Sequence, residues 1–458
     1  MARPGMGFAS RWRDFVDRSA RQSPARMALG VFAVVIAIFT ALLAAPWATA
    51  SGTPAAPVDA FFTAASAATV TGLVVVPTGT YWSTWGLVTI LVAIKIGGLG
   101  VMTLASLLGA AVSRRVGLTQ RLLLGSETRA TKLGEVGSLV RTVVVTSTTL
   151  EVVGALILLP RLFMYEDSWG TAAWHSLFYA VSAFNNAGFV PTADGLLPFA
   201  SDWWVLMPII VGVFVGSLGF PVVRDVLRHP RTWRRWSLHT KLTITTSLAL
   251  VVLGTVVIAG FEWANPATFG PLDPAGTALA SLFAGVMPRS GGFVTVGTGE
   301  MHDGTWLALD ALMFVGGGSA STAGGIKVTT LAVMLLAIVA EGRGDRDVEA
   351  FGRRIPPETL KVAIAVSLIA ATIVLIASLL LLAMTGLSLD VILFEVISAF
   401  TTCGLTTGIT PALPDRAKLV LAVLMFVGRT GTMTLAAALA LRNRRRVIRL
   451  PEERPIIG

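Results

Sequence analysis

Hydrophobic positions in this chain fall into long uncharged runs. A helix that crosses a hydrocarbon core about 30 Å thick needs about 20 residues. Eight runs qualify, at roughly 27–48, 86–112, 141–160, 203–227, 241–261, 306–338, 361–385 and 417–441. The runs come in pairs. Between the members of each pair lies a shorter apolar stretch of roughly 10 to 14 residues, too short to span and so expected to enter and leave by one face. Three of these are 58–68, 171–184 and 274–287, and Asp59 stands in the first turn of its helix, as a helix start favours.

A loop motif recurs at the end of each short stretch. SAATVTGL (66–73), SAFNNAGF (182–189) and SAFTTCGL (398–405) each carry a Ser-Ala pair with a glycine six positions after the serine, and VMPRSGGF (286–293) is a degenerate copy. Gly72, Gly188, Gly292 and Gly404 recur at intervals of 116, 104 and 112 residues, a period suited to a unit holding two spans. Soluble solenoid units cycle every ~20 to 50 residues. A second set, Gly97, Gly216, Gly316 and Gly428, comes 25, 28, 24 and 24 residues after the first. Three of these open a GxxG that closes at Gly100, Gly219 and Gly431. Small residues at such spacing let membrane helices approach closely, which accounts for part of the GxxG signal and not for the loop motif. The pattern predicts an all-α polytopic membrane protein, with four pseudo-repeats of helix, re-entrant pore loop and helix around one central pore.

Composition agrees with this. Of 458 residues 54% are hydrophobic and 14% charged, and the mean hydropathy is +0.75. Charge sets the orientation. The N-terminus, the three connections between pairs and the C-terminus hold 29 of the 36 Lys and Arg with 12 acidic residues, whereas the connections inside the pairs hold 4 basic and 13 acidic residues. Lys and Arg collect in cytoplasmic loops, so both termini of a multi-pass cell-membrane protein are expected inside and all four short stretches outside. The net charge of +10 then reflects topology, and no nucleic-acid partner is implied. Cys403 is the one cysteine, which excludes an intrachain disulfide, and His175, His229, His239 and His302 show no metal-ligand spacing. The basic start, first apolar run and Ala48-Thr49-Ala50 resemble a secretory leader, but the run exceeds the roughly 7 to 15 apolar residues of one, and cleavage is not expected.

The chain accordingly divides into a basic cytoplasmic N-terminal segment (1–26), pore repeats at 27–112, 141–227, 241–338 and 361–441, cytoplasmic linkers at 113–140, 228–240 and 339–360, and a basic tail (442–458). Trp12 and Phe15 among the basic residues of 1–26 suggest a segment lying on the inner membrane surface. The linker 113–140 has apolar residues at helical spacing, read as a solvated amphipathic loop or as a docking surface. Trp203 and Trp204, with Trp233 and Trp236 on the other side, fit aromatic belts.

The third repeat holds FVGGGSASTAGGIKVTT (314–330), five glycines and a lysine inside a span. Each glycine costs a helix roughly 1 kcal/mol relative to alanine, so this span is expected to be broken. Irregular backbone at membrane depth must be buried in protein or line a wet cavity. Lys95, Glu151 and Arg429, with Lys327, are charges within spans. Intramembrane charges are functional by default. Lys327 and Arg429 suit parts of a gate, or else cap helix-end carbonyls or pair with Glu151; Lys95 is the weaker candidate, its side chain reaching toward the surface.

Four short helices ending in glycine loops would turn backbone carbonyls toward one axis, and such rings can replace the hydration shell of a monovalent cation. Glycine suits the turning point because it accepts positive φ. The loops are uncharged apart from Arg289 and show no carboxylate ring of the kind a divalent-selective pore would carry. Potassium is the expected ion.

The strings KIGGLGVMT (95–103), SLGFPV (217–222), GGGSASTAGGIK (316–327), SAFTTCGLTTG (398–408) and FVGRTG (426–431) resemble the Trk/Ktr/HKT superfamily of potassium transporters over nearly the whole chain. One span before the first loop favours the Ktr-type, KtrB-like membrane subunit. The resemblance implies a homodimer with one pore per protomer, in membrane lipid, under a cytosolic ring of KtrA-like RCK subunits that carry ATP or ADP. No covalent cofactor is implied, and K⁺, with Na⁺ as a second transported or modulating ion, is the cargo. By position the filter would be Thr69, Val70, Thr71 and Gly72; Asn185, Asn186, Ala187 and Gly188; Ser290, Gly291 and Gly292; and Thr401, Thr402, Cys403 and Gly404. The family's gating loop would be Gly316, Gly317, Gly318, Ser319, Ser321, Thr322, Gly324 and Gly325, with Lys327 beside it and Arg429 facing it. Gly291 and Cys403 depart from the family's usual filter residues, and the string TVGYG is absent. A secondary cation transporter with a midplane site is the alternative, although its usual signature is an inverted repeat. A membrane enzyme is the third reading, and it lacks a His, Asp or Cys cluster at one depth.

Overall fold

Length and apolarity make the helices, and glycine and proline decide where they stop. The structure, a computed structural model, describes residues 24–100, 103 and 133–441. The basic start to residue 23, most of the linker 113–140 and the tail 442–458 lie outside the described residues.

The chain runs as α1 (Pro24–Leu43), α2 (Pro57–Thr69), α3 (Thr84–Gly100), α4 (Leu133–Leu162), α5 (Trp169–Phe184), α6 (Trp203–Leu218), α7 (Phe220–Arg228), α8 (Leu238–Glu262), α9 (Pro274–Val286), α10 (Asp303–Phe314), α11 (Val328–Arg343), α12 (Pro357–Thr385), α13 (Leu389–Phe400) and α14 (Asp415–Leu441). Starts are capped as the sequence prescribes. Ser168, Asp202, Ser237 and Asp273 each accept a backbone N–H of the first turn through their side chains, the usual way to satisfy orphan donors. Left-handed Gly344 and Gly386 close α11 and α12.

Among the described residues three unbroken helices are long and apolar enough to cross a membrane: Val140–Leu162, Leu238–Glu262 and Pro357–Thr385. The helices over 27–48, 86–112 and 417–441 begin or end at the limits of the described residues. Two of the expected spans are not straight. Residues 306–338 are broken between α10 and α11, where the five glycines predict it. Residues 203–227, expected as one span, form α6 and α7 with a bend of 101° between them. The local sequence permits the bend. Gly219 takes φ +94, outside the helical range, and Pro221 falls in the first turn of α7, where a missing N–H costs nothing.

Each short helix packs on the long helix before it: α2 on α1, α5 on α4, α9 on α8, α13 on α12. It also meets the second helix of a neighbouring unit, since α6 packs on α9, α10 on α13 and α14 on α2. The last helix thus returns to the first short one, and the arrangement closes. Three large apolar clusters fill it, and the short helices are buried at their C-terminal ends. The linker 339–360 is more ordered than expected. Val348–Ala350 pairs antiparallel with Arg353–Ile355 through Phe351 and Gly352, both at positive φ, the geometry that lets a two-residue turn match strand twist.

Candidate functional site

The four glycine loops share one backbone path. In each, the residue two before the glycine is left-handed, at Val70 (φ 56), Asn186 (φ 59), Ser290 (φ 71) and Thr402 (φ 49), and so is the glycine, at Gly72 (φ 94), Gly188 (φ 69), Gly292 (φ 69) and Gly404 (φ 93). A non-glycine residue pays for positive φ and keeps it only where the surroundings over-determine it. Here the helix ends do so. Val70 and Thr71 donate their N–H groups back to Ala67 and Ser66 carbonyls; Asn186 and Ala187 do so to Ala183 and Ser182, and Thr402 and Cys403 to Ala399 and Ser398. The recurrent serine has its reason here. The Oγ of Ser66 and of Ser398 accepts the N–H of Gly72 and Gly404, each at 3.1 Å, whereas the Ser182 hydroxyl donates to the Phe189 carbonyl at 2.8 Å.

With the amides turned inward, the carbonyls are left over. Among the described residues no hydrogen bond ends on the carbonyl oxygens of Thr71, Gly72, Ala187, Gly188, Gly291, Gly292, Cys403 or Gly404. The loops meet in a ring. A methyl carbon added at Gly72 would run into the Ala187 carbonyl, at Gly188 it would lie 3.0 Å from the Gly292 Cα, at Gly292 2.5 Å from the Cys403 oxygen, and at Gly404 it would strike the Thr71 carbonyl. At Gly72, Gly292 and Gly404 no side chain fits without moving backbone, and at Gly188 the space is tight. The Cys403 thiol points out of the ring, 3.6 Å from the Met287 and Pro288 carbonyls, so only its backbone belongs to the site.

The second glycine set also finds its cause. A side chain at Gly97, Gly216 or Gly428 would collide with the carbonyl of Ala68, Phe184 or Phe400, in each case the residue four before the loop glycine. Close packing is thus aimed at the end of the unit's own short helix. Gly316 differs and abuts the Gly324 carbonyl. Gly97→Ala is expected to lower thermal stability in detergent, since overpacking costs about 1 to 3 kcal/mol; a melting temperature equal to the parent's would mean that this contact yields.

Between α10 and α11 the chain is irregular from Val315 to Lys327 and lies against three of the four loops. Gly324 donates to the Ser290 Oγ at 3.3 Å, and the same hydroxyl donates to the Thr402 carbonyl. The Thr322 hydroxyl shares its one proton between the Asn186 Oδ1 at 2.9 Å and the Gly216 carbonyl at 3.0 Å. The bend of α6 and α7 clamps the segment from outside. Gly318 donates to the Ser217 carbonyl and Phe220 to the Ala320 carbonyl, and Gly219 is pressed on the Ser319 oxygen.

Three cations hold this break by its carbonyls. Arg429 bonds Thr322 through Nη1, while its Nε and Nη2 have no partner among the described residues. Lys327 Nζ reaches the Ala323 carbonyl at 2.7 Å, and the Arg289 Nη2 reaches that of Gly316 at 3.0 Å. Both arginines are 1% exposed. The role of Arg289 was not legible in the sequence; its one signal was a lone charge beside an uncharged loop. Pairing of Glu151 with Arg429 or Lys327 does not occur. Glu151 binds Lys95 at 2.5 Å, 56 residues away in sequence, so Lys95 has a partner instead of reaching for the surface.

All fifteen loop residues picked from sequence thus come together, and the eight from the break, with Lys327 and Arg429, adjoin them. The donors on offer are neutral carbonyl and hydroxyl oxygens, which suit a hard monovalent cation. Among the described residues no group of three or more His, Cys, Asp or Glu could hold a metal ion.

Comparison with known proteins agrees in length and fold. A family model described as TrkH, cation transport protein, matches residues 19–445. The Ktr system potassium uptake protein B of Bacillus subtilis is 38% identical over 97% of this chain and 99% of its own length. The protein of the same name from Vibrio alginolyticus is 36% identical over 87% and 88%, and the potassium/sodium uptake protein NtpJ of Enterococcus hirae is 32% identical over 96% and 98%. The crystal structure of the potassium transporter TrkH from Vibrio parahaemolyticus matches with a TM-score of 0.68 at 18% identity, covering 89% of this chain and 84% of that one. That last likeness is one of fold.

Proposed function

The chain belongs to the TrkH family of cation transport proteins, and from that premise we propose that it takes up potassium through the ring of its four glycine loops. It is a membrane transport protein and not an enzyme. The observation that carries the reading is the closed circuit of Gly72, Gly188, Gly292 and Gly404 with carbonyls that no N–H occupies. A potassium ion entering this ring exchanges hydration oxygens for carbonyl oxygens, and the rigid helix ends keep that exchange from costing reorganisation. The neutral lining favours a monovalent over a divalent ion. The names of the relatives support K⁺ as cargo, with Na⁺ admitted as well.

In this reading the chain is four helix, pore loop, helix units, and the four loops are the selectivity filter. The break 315–327 is the gate on its inner side. Its carbonyls are held by the buried Arg289 and Arg429 and by Lys327, which keeps positive charge beside the ion's path. Ions pass when the segment is drawn aside. The force comes from outside this chain, from a cytosolic RCK-type ring that binds ATP or ADP and acts on a homodimer in the cell membrane with its termini inside.

The test is Rb⁺ uptake into K⁺-loaded proteoliposomes, with Na⁺, Li⁺ and choline as competitors. Uptake blocked by K⁺ and untouched by choline is the expected result. Uptake that choline blocks equally would overturn the reading, as would none from protein whose 316–325 loop has been shortened.

A further inference from the structure

Lys95 and Glu151 lie inside the spans and have no part in the gate. Lys95 of α3 and Glu151 of α4 form an ion pair at 2.5 Å, Glu151 being 3% exposed. The Lys95 Nζ also donates to Ser147 at 3.1 Å. The other oxygen of Glu151 accepts from the Asn185 Nδ2 at 2.8 Å.

Asn185 opens the second filter loop. Its counterparts Thr69 and Thr401 each use their hydroxyl on the carbonyl four residues back, at 2.7 and 2.8 Å. Asn185 makes that same bond, to Val181 at 2.8 Å, and its amide has a further hydrogen, which goes to the carboxylate. Gly98, three residues after Lys95 and on the same helical face, packs so closely on the Asn185 amide that a side chain there would collide with its Oδ1. The second loop is thus the one whose first residue is tied to a formal charge pair.

We propose that Lys95 and Glu151 are positioning residues that set how tightly the filter holds its ion: the carboxylate braces Asn185 and adds negative potential behind the loop, and the ammonium offsets that potential. A filter must bind firmly enough to admit an ion and weakly enough to release it. The charge behind it is a means of choosing that depth. The inference rests on the filter reading of the four loops.

Opposite signs separate an electrostatic role from a merely structural one. Binding is measured without flux, so the state of the gate does not matter, as the KCl dependence of thermal stabilisation of the purified full chain, with choline chloride as control. Lys95→Gln should lower the apparent Kd for K⁺ and Glu151→Gln should raise it, each about three- to tenfold for a unit charge near the site in partly buried surroundings. The double variant, whose glutamine at 151 still accepts from Asn185, should return close to the parent. Single variants that shift alike or not at all would reduce the pair to a structural tie and overturn the proposal, and so would a double variant that stays shifted. If one single variant does not fold, the sign of the other and the return of the double decide. A parent chain that K⁺ stabilises no more than choline does would refute the filter reading itself, and the inference with it.

Discussion

Gly404→Ser is expected to leave the protein in the membrane and to lower its preference for K⁺ over Na⁺ at least about tenfold, or about 1.4 kcal/mol in relative binding. Two costs combine at this position. Gly404 has φ +93, which L side chains rarely adopt, and a Cβ there is driven into the Thr71 carbonyl of the adjacent loop. That oxygen belongs to backbone fixed by the Ser66 bonds, so the collision cannot be relieved by turning a side chain. Either the first loop or the fourth must move, by more than the difference in radius between the two ions. Gly188→Ser is the milder companion, since its nearest neighbours stand 3.0 Å from the added carbon. Competition of K⁺ and Na⁺ for Rb⁺ uptake reads the effect. Equal selectivity in folded Gly404→Ser protein would remove the fourth loop from the filter.

Shortening the segment 316–325 is expected to raise Rb⁺ flux in the absence of any cytosolic partner by tenfold or more. In the proposed gate the segment is held by hydrogen bonds to charged groups, each worth about 1.5 to 3 kcal/mol, and a population shift scales with the free energy lost from one state only. Arg429→Ala tests the same point with one side chain. Its hydrogen bond among the described residues, to the Thr322 carbonyl, would be broken if the segment were drawn aside. Flux that stays level or falls in folded protein of either kind would show that this segment does not obstruct the path.

Much of this site could be read from the chain because its causes are local. Gly72, Gly188, Gly292 and Gly404 stand where one short helix ends and the backbone must turn left-handed, a demand that each loop makes by itself. In the first and fourth loops the serine six residues earlier caps the same turn. The break at 315–327 follows from glycine density, and the apolar runs from the thickness of a bilayer.

Other features depend on contacts that no local period encodes. A run of apolar residues from 203 to 227 reads as a straight span, because the bend at Gly219 matters only once the Ser319 and Ala320 carbonyls lie against it. Arg289 looks like a stray charge in the third loop until α10 brings the Gly316 carbonyl within its reach, 27 residues on. The second glycines announce close packing, but that they are pressed on the ends of their own short helices emerges only in three dimensions. Glu151 had three cations within the spans to choose from, and charge alone ranked none of them first. The ring itself divides in the same way. The sequence by itself determined four loops with their carbonyls freed, because N–H groups are spent within each loop; tertiary structure decided the order in which the loops meet and which charges stand behind them, because those contacts join residues tens to more than a hundred positions apart.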